Sequence, residues 1–301
     1  MNFLKHARTI TAIKTPYTNT GFIDFKAYDN IVWNQIQKGI QGLVVTGTTG
    51  EGHLMSWKEQ LMLIHHTSYN FGKDLVVIGA TGSNSTHEAL VATEEAFNHG
   101  MHVALQLNPY YGHACEEGTF YHLNSLIDLG PTILYNVPKR TGFDMNSHLV
   151  VQLSKHENFK GIKECVGINR LNEYSKLNNP INVWSGNDND CYDAKVECGI
   201  NGVISVLANI LPKEMDSLMK GEEKYDLKIK KFCNWMYQSP NPIGINTVMA
   251  MMGICQPVFK MPYLPLSYKE RVKGKELLEE LFEIENVRIL KDDDFIILKK
   301  Y

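Results

Sequence analysis

Long apolar runs are missing from this 301-residue sequence. None approaches the roughly 18 residues needed to cross a bilayer. Charge of one sign is missing too. The net charge is −3 with histidine neutral, so no basic surface is predicted for nucleic acid or an anionic membrane. The opening stretch, Met1 to Arg8, has no apolar core of the secretory kind and is too short for an organelle transit peptide, unless one has been removed. Cysteine pairs are absent. The six cysteines (Cys115, Cys165, Cys191, Cys198, Cys233 and Cys255) are scattered through apolar segments, and none forms C-x-x-C. Free thiols in a reducing compartment are the expectation, without zinc. The one histidine doublet, His65-His66, falls on a presumptive helix with its rings pointing two ways, a poor start for a metal site. Finally, no G-x-G-x-x-G follows the first strand-like run, which removes the best marker of a doubly wound sheet.

What is present is ordinary in amount and regular in order. Hydrophobic residues make up 44% and charged residues 21%, the balance of a soluble globular protein. Short β-branched runs alternate with amphipathic stretches eight times. Strands are predicted over Thr9–Lys14, Leu43–Thr46, Leu75–Ala80, His102–Leu107, Thr132–Val137, Gly161–Cys165, Asn182–Ser185 and Gly202–Val206. Helices are predicted between them, over Asp24–Lys38, Trp57–Asn70, Thr86–His99, Glu116–Leu129, Ser147–Lys155, Arg170–Lys176 and Asp190–Glu197. Asp24, Ser56 and Asn84-Ser85 offer caps at helix starts, and Gly39, Gly72 and Gly100 offer stops. Eight such units within about 210 residues predict an α/β fold, a (β/α)8 TIM barrel over 1–210 that carries the active site. The remainder, 211–301, is predicted as a C-terminal helical appendage packed on the barrel. It reads as helices over Leu211–Tyr237, Ile243–Met252 and Leu266–Glu285, with a small hairpin in Val287–Leu298. No low-complexity linker separates the two parts.

Barrel active sites form at the C-terminal ends of the strands, and those ends are where this sequence is most unusual. The sixth strand carries Lys163 inside Phe159–Val166, among Ile162, Cys165 and Val166. An ammonium there either snorkels into water or is buried and loses proton affinity. In the second case a neutral amine can attack a carbonyl and form a Schiff base. The second strand ends in Thr46-Gly-Thr-Thr-Gly-Glu-Gly52, either a common Gly-rich loop or a cradle of N–H groups and hydroxyls for a carboxylate or phosphate. The fourth ends in Asn108-Pro-Tyr-Tyr-Gly112 and the fifth in Tyr135-Asn-Val-Pro-Lys-Arg-Thr-Gly142. Those tyrosines suit either core packing or hydroxyl chemistry, and Arg140 suits either solvent or bidentate binding of a carboxylate. Converging in one mouth, these groups form a coherent set for imine chemistry on a keto acid.

At this point the chain resembles the pyruvate-dependent Schiff-base aldolases and lyases, and within them the dihydrodipicolinate synthase group. The resemblance rests on Gly47-Thr-Thr-Gly-Glu51, Tyr135-Asn-Val-Pro138 with Arg140-Thr-Gly142, Gly161-Ile-Lys-Glu164 and Gly202-Val-Ile-Ser-Val206. The plant branch is most similar, through Ile10 to Tyr17, Leu54-Met-Ser-Trp57, Trp184-Ser-Gly-Asn-Asp188 and Asp292 to Ile297. The likeness runs from about Thr9 to the end. It implies condensation of pyruvate with L-aspartate 4-semialdehyde, at the first committed step of lysine biosynthesis through diaminopimelate. It implies that Lys163 forms an imine with pyruvate, with no metal and no organic cofactor. Thr48 and Thr49 would hold the pyruvate carboxylate, Thr48 also relaying protons. Tyr135 would transfer protons, Tyr111 would complete the relay from a neighbouring subunit, and Arg140 would hold the aldehyde's carboxylate. Gly186 and the Ile204 carbonyl would line the pocket.

The resemblance further implies a homotetramer built from dimers, in bacterial cytoplasm or, after processing, in plastid stroma. It implies feedback inhibition by L-lysine at His53, Trp57, Asn84, Glu88 and Tyr110, with Gln60 standing where the plant pattern has histidine. A sister enzyme such as N-acetylneuraminate lyase or a keto-deoxy sugar acid aldolase would share Lys163, Tyr135 and the threonine loop, and Arg140 argues against it. A catalytically silent barrel that binds a small carboxylate is the reading from another class. The intact lysine, tyrosine and threonine set argues against that one.

Overall fold

The computed structural model describes residues 3–300. Eight parallel strands close into a barrel in sequence order, with β8 pairing back onto β1. They are β1 (Thr9–Ala12), β2 (Gly42–Val45), β3 (Val76–Ala80), β4 (Val103–Leu107), β5 (Thr132–Asn136), β6 (Phe159–Glu164), β7 (Val183–Ser185) and β8 (Gly202–Ser205). Each coincides, within two residues at either end, with a run read from the sequence. Around them lie α1 (Phe25–Gln37), α2 (Trp57–Phe71), α3 (Thr86–Asn98), α4 (Glu116–Asp128), the single turn α5 (Pro138–Thr141), α6 (Ser147–Leu153), α7 (Ile168–Ser175) and α8 (Cys191–Cys198). This is the (β/α)8 TIM barrel.

Side chains alternate inward and outward along each strand, so one strand serves two cores. On β6, Ile162 packs outward with Leu123 and Ile127 of α4, Leu149 of α6 and Leu171 of α7. Cys165 faces the other way, toward an interior filled by Ile10, Val44, Ile78, Leu105, Ile133 and Trp184. The Trp184 indole donates to the Ala7 carbonyl at 2.7 Å, joining the N-terminal segment to the barrel wall. Gly202 permits that approach, because a Cβ there would sit 1.9 Å from the Arg8 carbonyl oxygen. The helix starts follow their caps. Asp24, Ser56 and Ser85 accept from backbone N–H groups of the first turns, and Ser56 forms a full capping box with Glu59.

The C-terminal region departs from the sequence reading in three places. The predicted helix 211–237 is two, α9 (Pro212–Met219) and α10 (Asp226–Met236). Gly221 breaks it with φ +91°, a conformation that ends a helix readily only at glycine. After α11 (Ile243–Met251), the last helix, α12 (Tyr268–Phe282), stops earlier than predicted because Glu283 takes up a left-handed cap at φ +55°. The tail does not form a hairpin. Its strand β10 (Ile296–Leu298) runs parallel to β9 (Val258–Lys260), a segment for which no element was predicted. A hairpin needs adjacent antiparallel strands. Here α12 lies between the two and makes the crossover that a parallel pair requires.

Candidate active site

Lys163 and Tyr135 are direct neighbours across β5 and β6. Both side chains turn into the barrel mouth, and the Lys163 Nζ sits 4.5 Å from the centre of the Tyr135 ring. Lys163 is only 7% exposed, so the snorkelling alternative does not hold. Burial lowers its proton affinity below that of an ordinary lysine. Cys165 and Asp188 oppose that fall, and the Arg140 guanidinium adds to it. The lysine stem needs a neighbour without a side chain. A Cβ on Gly186 would lie 2.9 Å from the Lys163 Cε and 2.2 Å from the Cys165 sulfur. Burial pushes the Cys165 thiol up to about 11 and keeps it protonated. Burial also raises the Tyr135 phenol, with Cys165 adding to the rise, while Arg140 and a hydrogen bond with Thr48 oppose it. An amine whose proton affinity is lowered by burial, set beside a protonated phenol, can attack a carbonyl and receive or return protons during the addition.

The threonine loop after β2 is held from below. Thr46 and Glu51 both adopt left-handed backbone, at φ +57° and +60°. Gly52 follows where a Cβ would meet the Thr46 carbonyl oxygen at 2.0 Å. Such a turn needs an anchor. The buried Glu51 carboxylate accepts from the Lys14 ammonium at 3.0 Å and from the Asn246 amide of α11 at 2.8 Å. Breaking a buried pair of this kind costs roughly 3–5 kcal/mol, so the loop is firmly fixed. Its inner edge presents Thr48 and the buried Thr49 to the cavity. Arg140 is aimed by α5, whose Pro138 opens a single turn that Gly142 closes at φ +73°. No such turn was predicted from the sequence.

These groups border one cavity of about 970 Å³. Its far wall was not foreseen, since Tyr237 and Asn241 from the C-terminal region also line it. The Asn241 amide donates to the Thr49 hydroxyl oxygen at 3.1 Å, and its main-chain carbonyl accepts from Arg140 Nη2 at 3.0 Å. The Tyr237 hydroxyl donates to the buried Asp188, which also accepts from the Val206 and Leu207 N–H groups. The signal for Asn241 was present as Ser239-Pro-Asn-Pro242, which by itself marks only a break between the two predicted helices around it. Nothing local in Tyr237 sets it apart from a helix aromatic.

Other candidate residues divide. Ile204 lies in the packed interior, and Val206 rather than Ile204 borders the cavity. Tyr111 is 90% exposed in left-handed backbone at φ +68° and does not line the cavity of its own chain. His53, Trp57, Gln60 and Tyr110 form one rim of the cavity. The Asn84 amide donates to the Tyr110 carbonyl at 3.3 Å, and Glu88, exposed on α3, accepts from Ser83 at 3.1 Å. His53 contacts the Tyr263 hydroxyl at 2.8 Å. Among the described residues, no group of three or more His, Cys, Asp or Glu is placed to hold a metal ion.

The profile of the dihydrodipicolinate synthetase family matches residues 5–281. The chain belongs to this family. A relative named 4-hydroxy-tetrahydrodipicolinate synthase 1, chloroplastic, from Arabidopsis thaliana is 46% identical over 305 aligned positions, covering 99% of this chain and 83% of the relative. A 4-hydroxy-tetrahydrodipicolinate synthase from Geotalea uraniireducens is 36% identical over 90% of this chain and 97% of its own. Among solved structures, the chloride-inhibited dihydrodipicolinate synthase from Acinetobacter baumannii complexed with pyruvate superposes with a TM-score of 0.86. It is 30% identical and covers 93% of this chain and 100% of its own. Within this family, the lysine-bearing sixth strand and the threonine loop are the parts of the barrel mouth that the sequence motifs had already marked.

Proposed function

We propose that the chain is a lyase that condenses pyruvate with L-aspartate 4-semialdehyde to 4-hydroxy-tetrahydrodipicolinate, opening lysine biosynthesis through diaminopimelate. One observation carries this reading. A desolvated amine, Lys163, shares a cavity with Tyr135, the Thr48–Thr49 edge and Arg140. The Lys163 nitrogen attacks the keto carbon of pyruvate, the former carbonyl oxygen leaves as water, and a protonated imine forms. That imine withdraws electrons, so a methyl proton departs and an enamine results, with no metal or organic cofactor. The enamine carbon then bonds to the aldehyde carbon, whose oxygen takes a proton from Tyr135. The amino group of the second substrate displaces Lys163 and closes the ring. Thr49 and Thr48 hold the pyruvate carboxylate, and Thr48 passes protons to Tyr135. Gly186 leaves space for the lysine stem.

A turnover assay with pyruvate and aspartate semialdehyde tests the reaction directly. Borohydride trapping with pyruvate separates it from a silent carboxylate binder, which gains no mass. Arg140 discriminates between substrates, because a guanidinium at the mouth binds a carboxylate that does not change during the chemistry. Arg140→Ala should raise KM for aspartate semialdehyde by more than it raises KM for pyruvate. Equal effects on both would count against the role and reopen the sugar-acid aldolase reading.

The rim residues His53, Trp57, Gln60 and Tyr110, together with Asn84 and Glu88, are proposed as an inhibitory site for L-lysine. Glu88 pairs with an ammonium, Asn84 donates and accepts, Trp57 covers the aliphatic stem and the Tyr110 hydroxyl meets the carboxylate. The Gln60 amide nitrogen donates to the Met55 carbonyl at 3.4 Å, and its oxygen is left to accept. Initial rates should fall with added L-lysine, and Glu88→Ala should relieve the inhibition. Unchanged rates at millimolar lysine, or equal inhibition of both proteins, would remove the site. The assembly proposed is a homotetramer of dimers, the exposed Tyr111 reaching the partner's site. The chloroplastic relative supports a plastid stroma for a processed plant or algal protein, and the bacterial relative supports cytoplasm otherwise.

A further inference from the structure

The contact between Asn241 and Thr49 decides which way a hydroxyl proton points. A threonine hydroxyl carries one proton and two lone pairs. Asn241 Nδ2 donates to Thr49 Oγ1 at 3.1 Å, so one lone pair is occupied and the Thr49 proton is turned elsewhere. Thr49 is buried and borders the cavity beside Lys163. A carboxylate only accepts hydrogen bonds, so it needs that proton aimed at it. With the amide reversed, the Asn241 oxygen would take the Thr49 proton for itself. Lone pairs would then face the incoming carboxylate. Among the described residues the Asn241 Oδ1 is buried without a hydrogen-bond partner, a cost borne on the side away from Thr49.

We propose that Asn241, from the segment between α10 and α11, is a positioning residue that sets Thr49 as a donor to the pyruvate carboxylate. The role rests on the pyruvate reading of the site. It is separate from the same residue's hold on Arg140, which uses the main-chain carbonyl and survives any side-chain change. The C-terminal region thereby takes part in both substrate sites. Asn241 acts through its side chain on the first and through its backbone on the second.

The test is the pyruvate concentration giving half-maximal borohydride trapping on intact protein, which needs no second substrate. Loss of a neutral hydrogen bond is worth roughly 0.5–1.5 kcal/mol, or about a two- to tenfold change in binding. Asn241→Ala should therefore raise the half-maximal concentration about two- to tenfold, with KM for aspartate semialdehyde nearly unchanged. Asn241→Asp keeps the shape but presents only oxygens to Thr49, so it should weaken trapping further than alanine does. In a Thr49→Ala background, Asn241→Ala should add less than twofold, because the hydroxyl it orients is gone. Two independent, multiplying effects would overturn the proposal, and so would an aspartate variant that traps pyruvate as well as the parent. If the alanine variant fails to fold, the isosteric aspartate variant still decides. A parent that traps no pyruvate at all would refute the functional reading instead.

Discussion

Lys163→Ala should abolish borohydride trapping of pyruvate and lower turnover by several orders of magnitude. The expectation follows from two properties of the site. Nucleophilic attack needs a free amine lone pair, and burial supplies it by disfavouring the ammonium. The sign matters for pH. A lowered proton affinity means that the neutral amine persists to lower pH than for a surface lysine, so trapping should extend below the range where surface lysines react. The second property is placement. The amine lies against Tyr135 in one cavity, while Glu164 points outward and is tied to Asn136, Tyr174 and the Val166 N–H. The Asp188 carboxylate favours the Lys163 ammonium, but burial outweighs it and the net shift is downward. Intact mass and peptide mapping after reduction measure the adduct. Trapping on a peptide lacking residue 163 would sink the assignment.

The barrel was legible because its signal is local and repeated. Each strand is a short β-branched run, several helices open on a cap, and eight repeats leave few architectures. Lys163 was legible for a related reason, since a charged residue inside an apolar strand is anomalous wherever it falls. The groups that were missed act over distance. Glu51 looks like a loop carboxylate until Lys14 and Asn246, 37 and 195 positions away, close around it. Asn241 looks like turn chemistry, and its partners Thr49 and Arg140 lie 192 and 101 positions off. The parallel β9–β10 pair was misread for the same reason. A three-residue strand is too short to declare itself without its partner, and α12 separates the two in sequence. Alternation within a strand tells which residues share a face. It does not tell which distant segment will cover the mouth.

Tyr135→Phe should retain the fold and cost roughly 10²- to 10⁴-fold in turnover, the usual span for a positioned acid–base group. Phenylalanine keeps the ring that packs beside Lys163 and removes only the hydroxyl, so packing and proton transfer come apart. Trapping of pyruvate should survive better than turnover, because carbon–carbon bond formation needs a further proton that imine formation does not. A variant with near-normal turnover would return Tyr135 to the role of a core aromatic. The proton delivered by Tyr135 must be replaced from solvent, to which the residue is only 8% exposed. Thr48, which hydrogen-bonds to the Tyr135 phenol, is the first link outward in the proposed relay. Tyr111 cannot be the next link within one chain, since it is exposed and lies off the cavity. Its side chain is 90% exposed and off its own cavity, which suits reach into a neighbour. Mixed assemblies of Tyr111→Phe and Lys163→Ala subunits should then regain activity. A site shared between chains pairs an intact lysine from one parent with an intact Tyr111 from the other. Mixtures no more active than the two inactive parents would place the whole relay inside a single chain.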